Sequence, residues 1–307
     1  MEDLLAKMQL TEQTMVADVM HVVGEKFLVS VSSPLEVLLT KHLASLSLVS
    51  LGAGVQSHIN TLCSRGFEPK RIMVDPHKCL VGLQAAFPGV EIDPSGAGDH
   101  LDKIDTRIRR LKELMRSVIA DLLCTLPRDR VKDLVTYAVS RLNVRSTKAL
   151  TNEASLRVRL TGFRPEFKQE FGLAFGDYAE VFNPKAAEKS NDVTVPRTEP
   201  CIALYPSANK NGSWIFFNLQ TKAYVRRTQW TKLPTNKLVI AVMNELAGVG
   251  GIKVADLGTA DPTEDEQQES LQPAMHIPIA VPQEMTEQEA QIEFDELEEP
   301  PELAMRD

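Results

Sequence analysis

The chain has 307 residues, 43% of them hydrophobic and 25% charged, which excludes a fibrous or collagen-like protein and allows one or two folded domains plus a tail. Its net charge of −8 is unevenly spread, because residues 254–307 hold 16 of the 42 acidic residues and only Arg306 of the 34 basic ones. The preceding 253 residues therefore carry 33 basic against 26 acidic residues, a balance of +7 that suits a polyanionic partner.

Four cysteines, Cys63, Cys79, Cys124 and Cys201, form no CxxC pair, so neither a zinc knuckle nor a disulfide framework is indicated and a reducing compartment is the simpler reading. The N-terminus lacks a basic start followed by an apolar core. The most apolar run, Leu43–Val55, is broken by serines and too short for a membrane span. These features predict a soluble nuclear or cytoplasmic protein, not secreted and with no membrane partner.

In chain order, Met15–Val31 reads as two β-rich runs around Gly24-Glu25-Lys26, a hairpin that places Asp18 inside its first strand. Residues 54–64 suit a short helix. Arg71–Val74 is a brief strand running into Asp75-Pro76, His77–Phe87 reads as helix, and Val90–Ile92 as a third strand after Pro88-Gly89. Ile104, Ile108, Leu111, Met115, Val118 and Leu122 recur at helical spacing, which predicts a helix from Asp99 to Leu123. A second amphipathic helix follows Pro127, with Val131, Leu134, Val135, Ala138 and Leu142 on one face.

Beyond it the texture becomes aromatic and β-rich at 173–182, 200–205, 214–219 and 223–230, with Asn218–Lys222 as a hairpin turn and 183–198 as an exposed loop. Past Gly258 the chain is acidic, Pro- and Gln-rich and poor in aromatics, so no stable fold is expected. The pattern predicts an N-terminal extension (1–14), an α/β core (15–146) with flanking helices on a mixed sheet, a small β-rich module (147–250) and a disordered acidic tail (251–307).

A two-metal nuclease or strand transferase needs carboxylates from separate elements converging on two ions, so its acids are spaced by whole strands and helices. Asp18 in a first strand, Asp75 at a strand end and Asp105 in the first turns of the long helix fit that spacing. Each also has a plainer role: Asp75 before Pro76 can open a turn, and Asp105 can pair with Arg109 on the helix surface. Asp18 is harder to place otherwise, since Asp is disfavoured in strands and its neighbours are apolar. Arg109 and Lys112 lie one and two turns beyond Asp105 on the same face, where they could hold phosphates. They could equally solvate the helix. Arg226 and Arg227 beside Trp230, and Arg157 with Arg159 in SLRVRL, interleave cations with apolar or aromatic residues in a way that suits nucleic acid. The aromatics themselves could simply fill a small barrel.

Taken together, the strings DVMHVVGEKFLVSVSSP, SRGFEPKRIMVDPH, FPGVEID, GAGDHLDKIDTRIRRLKELMRSV, LVTYAVSRLN, LAFGDYAEVF, PCIALYP and GSWIFFNLQTKAYVRRTQW resemble the integrase region of copia-type retrotransposon polyproteins, over residues 15–247. The resemblance implies an RNase-H-like core, and two Mg²⁺ or Mn²⁺ ions held by Asp18, Asp75 and Asp105 as catalytic and metal-binding acids. It also implies joining of element DNA ends to target DNA, and a homo-oligomer as working form. The family has Glu where this chain has Asp105. The His/Cys zinc-binding segment that precedes such cores, and the reverse transcriptase that follows, are not in this sequence. An inactive, truncated or domesticated remnant that binds nucleic acid is therefore the competing expectation.

Overall fold

The computed structural model describes residues 11–74, 82–94, 101–144, 155–164, 166–184, 194, 196–253 and 256, and Asp75, His77, Cys79, His100, Arg306 and the acidic tail lie outside them. The first hairpin forms as its pattern predicts: strand β1 (Glu12–Val22) turns through Val23-Gly24 into β2 (Glu25–Ser33). Both turn residues have positive φ, 51° and 79°, a geometry whose twist matches the flanking strands. Gly24 also sits beside a guanidinium that a side chain would displace. A Cβ there would lie 2.6 Å from Nη2 of Arg128, which donates to the Val23 carbonyl at 2.9 Å.

Strand β3 (Leu38–Leu43) pairs antiparallel with β2, and helix α1 (Leu48–Cys63) carries the chain to β4 (Glu68–Val74), parallel to β1. Strand β5 (Glu91–Pro94) runs parallel to β4, which gives the sheet order β3-β2-β1-β4-β5. Three antiparallel strands, a helix, and two parallel strands on the far side of β1 make this the RNase-H-like mixed sheet.

Alternation along the strands gives the sheet two apolar faces. Met15, Ala17, Leu28, Ile72 and Val74 pack on Leu51, Val55 and Leu62 of α1. The opposite parity, with Val16, Met20, Phe27, Val29 and Met73, packs on α2 (Leu101–Asp121) and α3 (Val131–Val144). The stripe that predicted α2 is the one buried: Ile104, Leu111 and Met115 are fully enclosed. Asn143 ties the end of α3 to β3, accepting from Leu38 N at 3.0 Å and donating to its carbonyl at 2.7 Å.

A second sheet, ordered β10-β6-β7-β8-β9, is built from β6 (Tyr178–Phe182), β7 (Thr198–Pro206), β8 (Trp214–Asn218), β9 (Tyr224–Arg227) and β10 (Trp230–Lys232). Its edge strands are consecutive in the chain, joined by Thr228-Gln229, so the sheet curls on itself. Phe182 N donates to the Gln229 carbonyl at 3.2 Å, which extends the β6–β10 ladder into that connection. Trp214 and Phe216 are fully buried inside, within 6.5 Å of the Trp230 ring. Most of the aromatics thus fill the core. The hydrophobic cluster under α2 and α3 continues without a break into this sheet, and all described residues belong to one compact unit.

Polar groups join the two sheets as well. Arg130, at the start of α3, lies over the rings of Phe217 (4.5 Å) and Tyr224 (4.8 Å) and pairs with Asp133 at 3.2 Å. Burial raises the Asp133 carboxyl above its ordinary range, and the Tyr224 hydroxyl and the Arg130 charge oppose that rise.

Several elements differ from the sequence pattern. Helix α1 begins at Leu48, ahead of the predicted start, and β3 and α6 (Lys237–Ala247) were not predicted at all. The described part of the predicted helix His77–Phe87 is a 3-10 turn, Gly82–Ala86. The SLRVRL segment, inside the stretch expected to be β-rich, forms helix α4 (Leu156–Thr161), whose N-cap Ser155 accepts from Val158 N at 3.3 Å. Arg226 and Arg227 do not share a strand with Trp230, because β9 and β10 are separate.

Candidate active site

Asp18 lies in the middle of β1, half-buried and in register with Val29 of β2. Its parity is that of Val16 and Met20, so it occupies the face of the sheet that α2 and α3 cover. Its Oδ1 accepts from the next backbone amide, Val19 N, at 2.6 Å. In the parallel ladder Ala17 pairs with Val74, the last described residue of β4, and Asp75 is the residue that follows it in sequence.

Asp105 is exposed in the second turn of α2. With its apolar stripe buried, two ion pairs mark one flank of this helix. Lys103 and Arg107 reach Glu36, in the β2–β3 turn, at 2.5 and 3.1 Å. At about 100° per residue, Asp105, Arg109, Lys112 and Arg116 fall on the flank about half a turn away. Since Glu36 lies on the β2–β3 side of β1, that flank is turned toward β4 and β5. Asp18 and Asp105 are thus on one side of the sheet, and Asp105 is on the flank of α2 nearer the parallel strands.

Among the described residues no group of three or more His, Cys, Asp or Glu side chains is placed to hold a metal ion. Two of the three predicted acids, Asp18 and Asp105, are among those residues. An all-carboxylate donor set suits hard divalent ions such as Mg²⁺ or Mn²⁺.

The basic candidates fall into two kinds. Arg109 is exposed and Lys112 half-buried on the Asp105 flank, and Arg226 is exposed on β9. Arg227 is partly committed to the fold, its Nε donating to the Phe182 carbonyl at 2.9 Å. Both Arg226 and Arg227 line an open cleft with Phe182, Asn211, Thr228 and Gln229.

Arg157 is not a surface cation. It is 5% exposed beside Glu170, to which Arg141 donates from Nη2 at 3.0 Å. Arg157 Nη1 approaches Glu170 without hydrogen-bond geometry, so that pair is coulombic. The Arg141 guanidinium also lies over the rings of Tyr137, Phe171 and Trp214 at 5.0–5.7 Å.

Two features escaped the sequence reading. Arg107 is a positioning group rather than a solvated one, since only 16% of its side chain is exposed. Its partner Glu36 sits 71 residues away, beyond any local signal. Phe167 and Phe171 form an exposed ring pair, 4.9 Å between centroids, on the short helix α5 (Phe167–Phe171). Their i, i+4 spacing in FKQEF beside Lys168 was the available signal.

Among the described residues no helix is long and apolar enough to cross a membrane. No family model matches the chain, and no curated protein sequence matches it. Among solved structures the chain is similar to the catalytic core domain of BIV integrase, at 12% identity and a TM-score of 0.35 over 44% of this chain and 85% of that one. It is also similar to a chain of the simian T-cell lymphotropic virus intasome in complex with PP2A regulatory subunit B56 gamma, at 14% identity and a TM-score of 0.41 over 73% of this chain and 79% of that one. At overlaps this low the assignment of the core rests on its strand order and register.

Proposed function

We propose that the chain is the integrase-like portion of a copia-type element, which processes DNA 3′ ends and joins them to target DNA as a homo-oligomer. The observation that carries this reading is the placement of Asp18 on the α2-facing side of the central strand, with Asp105 on the α2 flank turned toward the parallel strands. Asp75, the residue after Val74, supplies the third carboxylate in this reading.

These three acids would hold two Mg²⁺ or Mn²⁺ ions, whose chemistry is to lower the pKa of an attacking water or 3′-hydroxyl and to stabilise the leaving oxygen. The chain's own groups bind and orient the DNA. Arg109 and Lys112, one and two turns along α2 from Asp105, are spaced to take successive phosphates, while Arg226 meets the duplex from the second sheet. The body's excess of cations steers the polyanion toward them.

One residue favours a second reading. Asp105 is a methylene shorter than the family's Glu, and Mg²⁺ tolerates little departure from octahedral geometry. A nucleic-acid-binding remnant without catalysis is the outcome if that shortfall is decisive. Mg²⁺-dependent nicking and strand transfer on a pre-processed duplex oligonucleotide separate the two. Asp18→Asn and Asp105→Ala abolish activity and Asp105→Glu raises it if the chain is an enzyme. Inertness of Asp105→Glu with both metals, alongside weakened DNA binding by Arg109→Ala, selects the remnant.

A further inference from the structure

The exposed aromatic pair on α5 has no part in the site above. Phe167 is 76% exposed and meets Phe171 at a tilt, while Phe171, 43% exposed, is covered on its other side by the Arg141 guanidinium 5.0 Å away. Leaving the Phe167 ring in water forgoes burial worth roughly ten-fold or more in stability, and it leaves a large apolar face open to a partner. The surroundings are cationic: Arg164 and Lys168 are exposed on either side of Phe167.

This helix is also joined to the β7–β8 turn. Trp214 Nε1 donates to the Gln169 carbonyl at 2.7 Å, and the Gln169 side chain packs on Gly212. Within that turn Asn209 is spent on holding Ser213, at 2.8 and 3.1 Å, which leaves Lys210 and Asn211 exposed. Asn211 in turn lines the cleft that holds Arg226 and Gln229. A strip therefore runs from the exposed Phe167 ring through lysines and amides to an arginine. Among the described residues of these segments Glu166 is the one exposed carboxylate.

We propose that this strip binds single-stranded nucleic acid, with a base stacking on Phe167, which Phe171 backs, and phosphates held by Lys168, Lys210 and Arg226. Every base has a π-face that rings of this kind accept, and a duplex hides those faces in its own stack. An apolar protein partner would need no row of cations beside the rings. The inference shares with the proposed function only its polyanionic partner. Its test is run in EDTA, so the result does not depend on whether the acids process DNA.

The measurement is fluorescence anisotropy of the full chain with a labelled oligodeoxythymidylate of about 20 nucleotides and with a duplex of the same length. Phe167→Ala should weaken single-strand binding roughly ten-fold and leave duplex binding unchanged, while Phe167→Trp keeps or tightens it. Lys168→Ala and Lys210→Ala should each flatten the logarithmic salt dependence by about 0.7. Glu166→Gln should tighten binding. Phe167 lies outside the core, so its variants should melt with the wild type. Single-strand affinity unchanged by Phe167→Ala overturns the proposal. So does a self-association, seen by sedimentation, that Phe167→Ala abolishes while oligonucleotide binding persists, because the rings then serve a contact between copies.

Discussion

Arg107 Nη2 meets Glu36 Oε2 at 3.1 Å, and this contact between the start of α2 and the β2–β3 turn marks which flank of α2 faces the parallel strands. The Glu36 side chain is 20% exposed and also takes Lys103, so its removal strands two cations. Glu36→Ala should lower stability by about 2 kcal/mol, between surface and fully buried pairs. Glu36 has a φ of 66°, so Glu36→Gly should recover about 1 kcal/mol relative to Ala by relieving the left-handed backbone. Urea melts of the two variants check the order. Equal loss in both would show that backbone strain at this turn is not a factor.

The buried Arg141–Glu170–Arg157 cluster gives a larger effect. Glu170 is 3% exposed and is the carboxylate between two guanidiniums. Glu170→Ala should destabilise by about 3–5 kcal/mol, because it leaves uncompensated charge in the core. Adding Arg157→Met to that variant should restore part of the loss. Thermal denaturation of the single and double variants decides it: no recovery in the double variant would mean that Arg157 contributes through packing alone.

His58 should make the fold acid-sensitive. It is 3% exposed, with Nδ1 2.7 Å from Ser30 Oγ and Nε2 buried without a hydrogen-bond partner. Burial, helped by the Lys41 charge and opposed by the nearby Thr40 backbone, pushes its pKa down to about 4 from 6.5. The unfolded chain then binds the extra proton between these values. Stability is intact above pH 6.5 and falls as pH drops toward 4, by about 2 kcal/mol at pH 5. Chemical denaturation at pH 7 and pH 5 should show this loss in the wild type and a smaller one in His58→Gln. An identical pH dependence in both would assign the acid sensitivity elsewhere.

These contacts mark the boundary of what the sequence could tell. Helix α2 and the first hairpin were readable because Ile104, Ile108, Leu111 and Met115 keep one helical face, and because Gly24 supplies the turn's positive φ. Strand β3 was not, since Thr40, Lys41 and His42 interrupt its alternation on an edge strand that pairs on one side only. The start of α1 was hidden by Gly52 and Gly54, poor helix formers. A Cβ at Gly54 would lie 3.1 Å from the Leu28 and Leu43 side chains, which would have to give by a few tenths of an ångström. SLRVRL offered a period of two, yet Ser155 caps it as a helix and sends Arg157 inward to Glu170. Of the candidate site, the types and spacing of the acids and the buried face of α2 were readable, while the side of the sheet to which each flank of α2 turns was not. Glu36, whose link to Arg107 no local pattern announces, is what shows which flank lies on the β2–β3 side.

The account turns on whether Asp18, Asp75 and Asp105 together hold divalent ions, and the most direct measurement is Mn²⁺ binding by calorimetry or electron paramagnetic resonance. The wild type should be compared with Asp18→Asn, Asp75→Asn and Asp105→Ala in the full chain, so that ions attracted to the acidic tail cancel between samples. The predicted result is two sites in the wild type that are lost or sharply weakened in each variant, with Asp105→Glu binding at least as tightly as the wild type. Mn²⁺ isotherms that are the same for the wild type and Asp18→Asn would contradict the metal-site account.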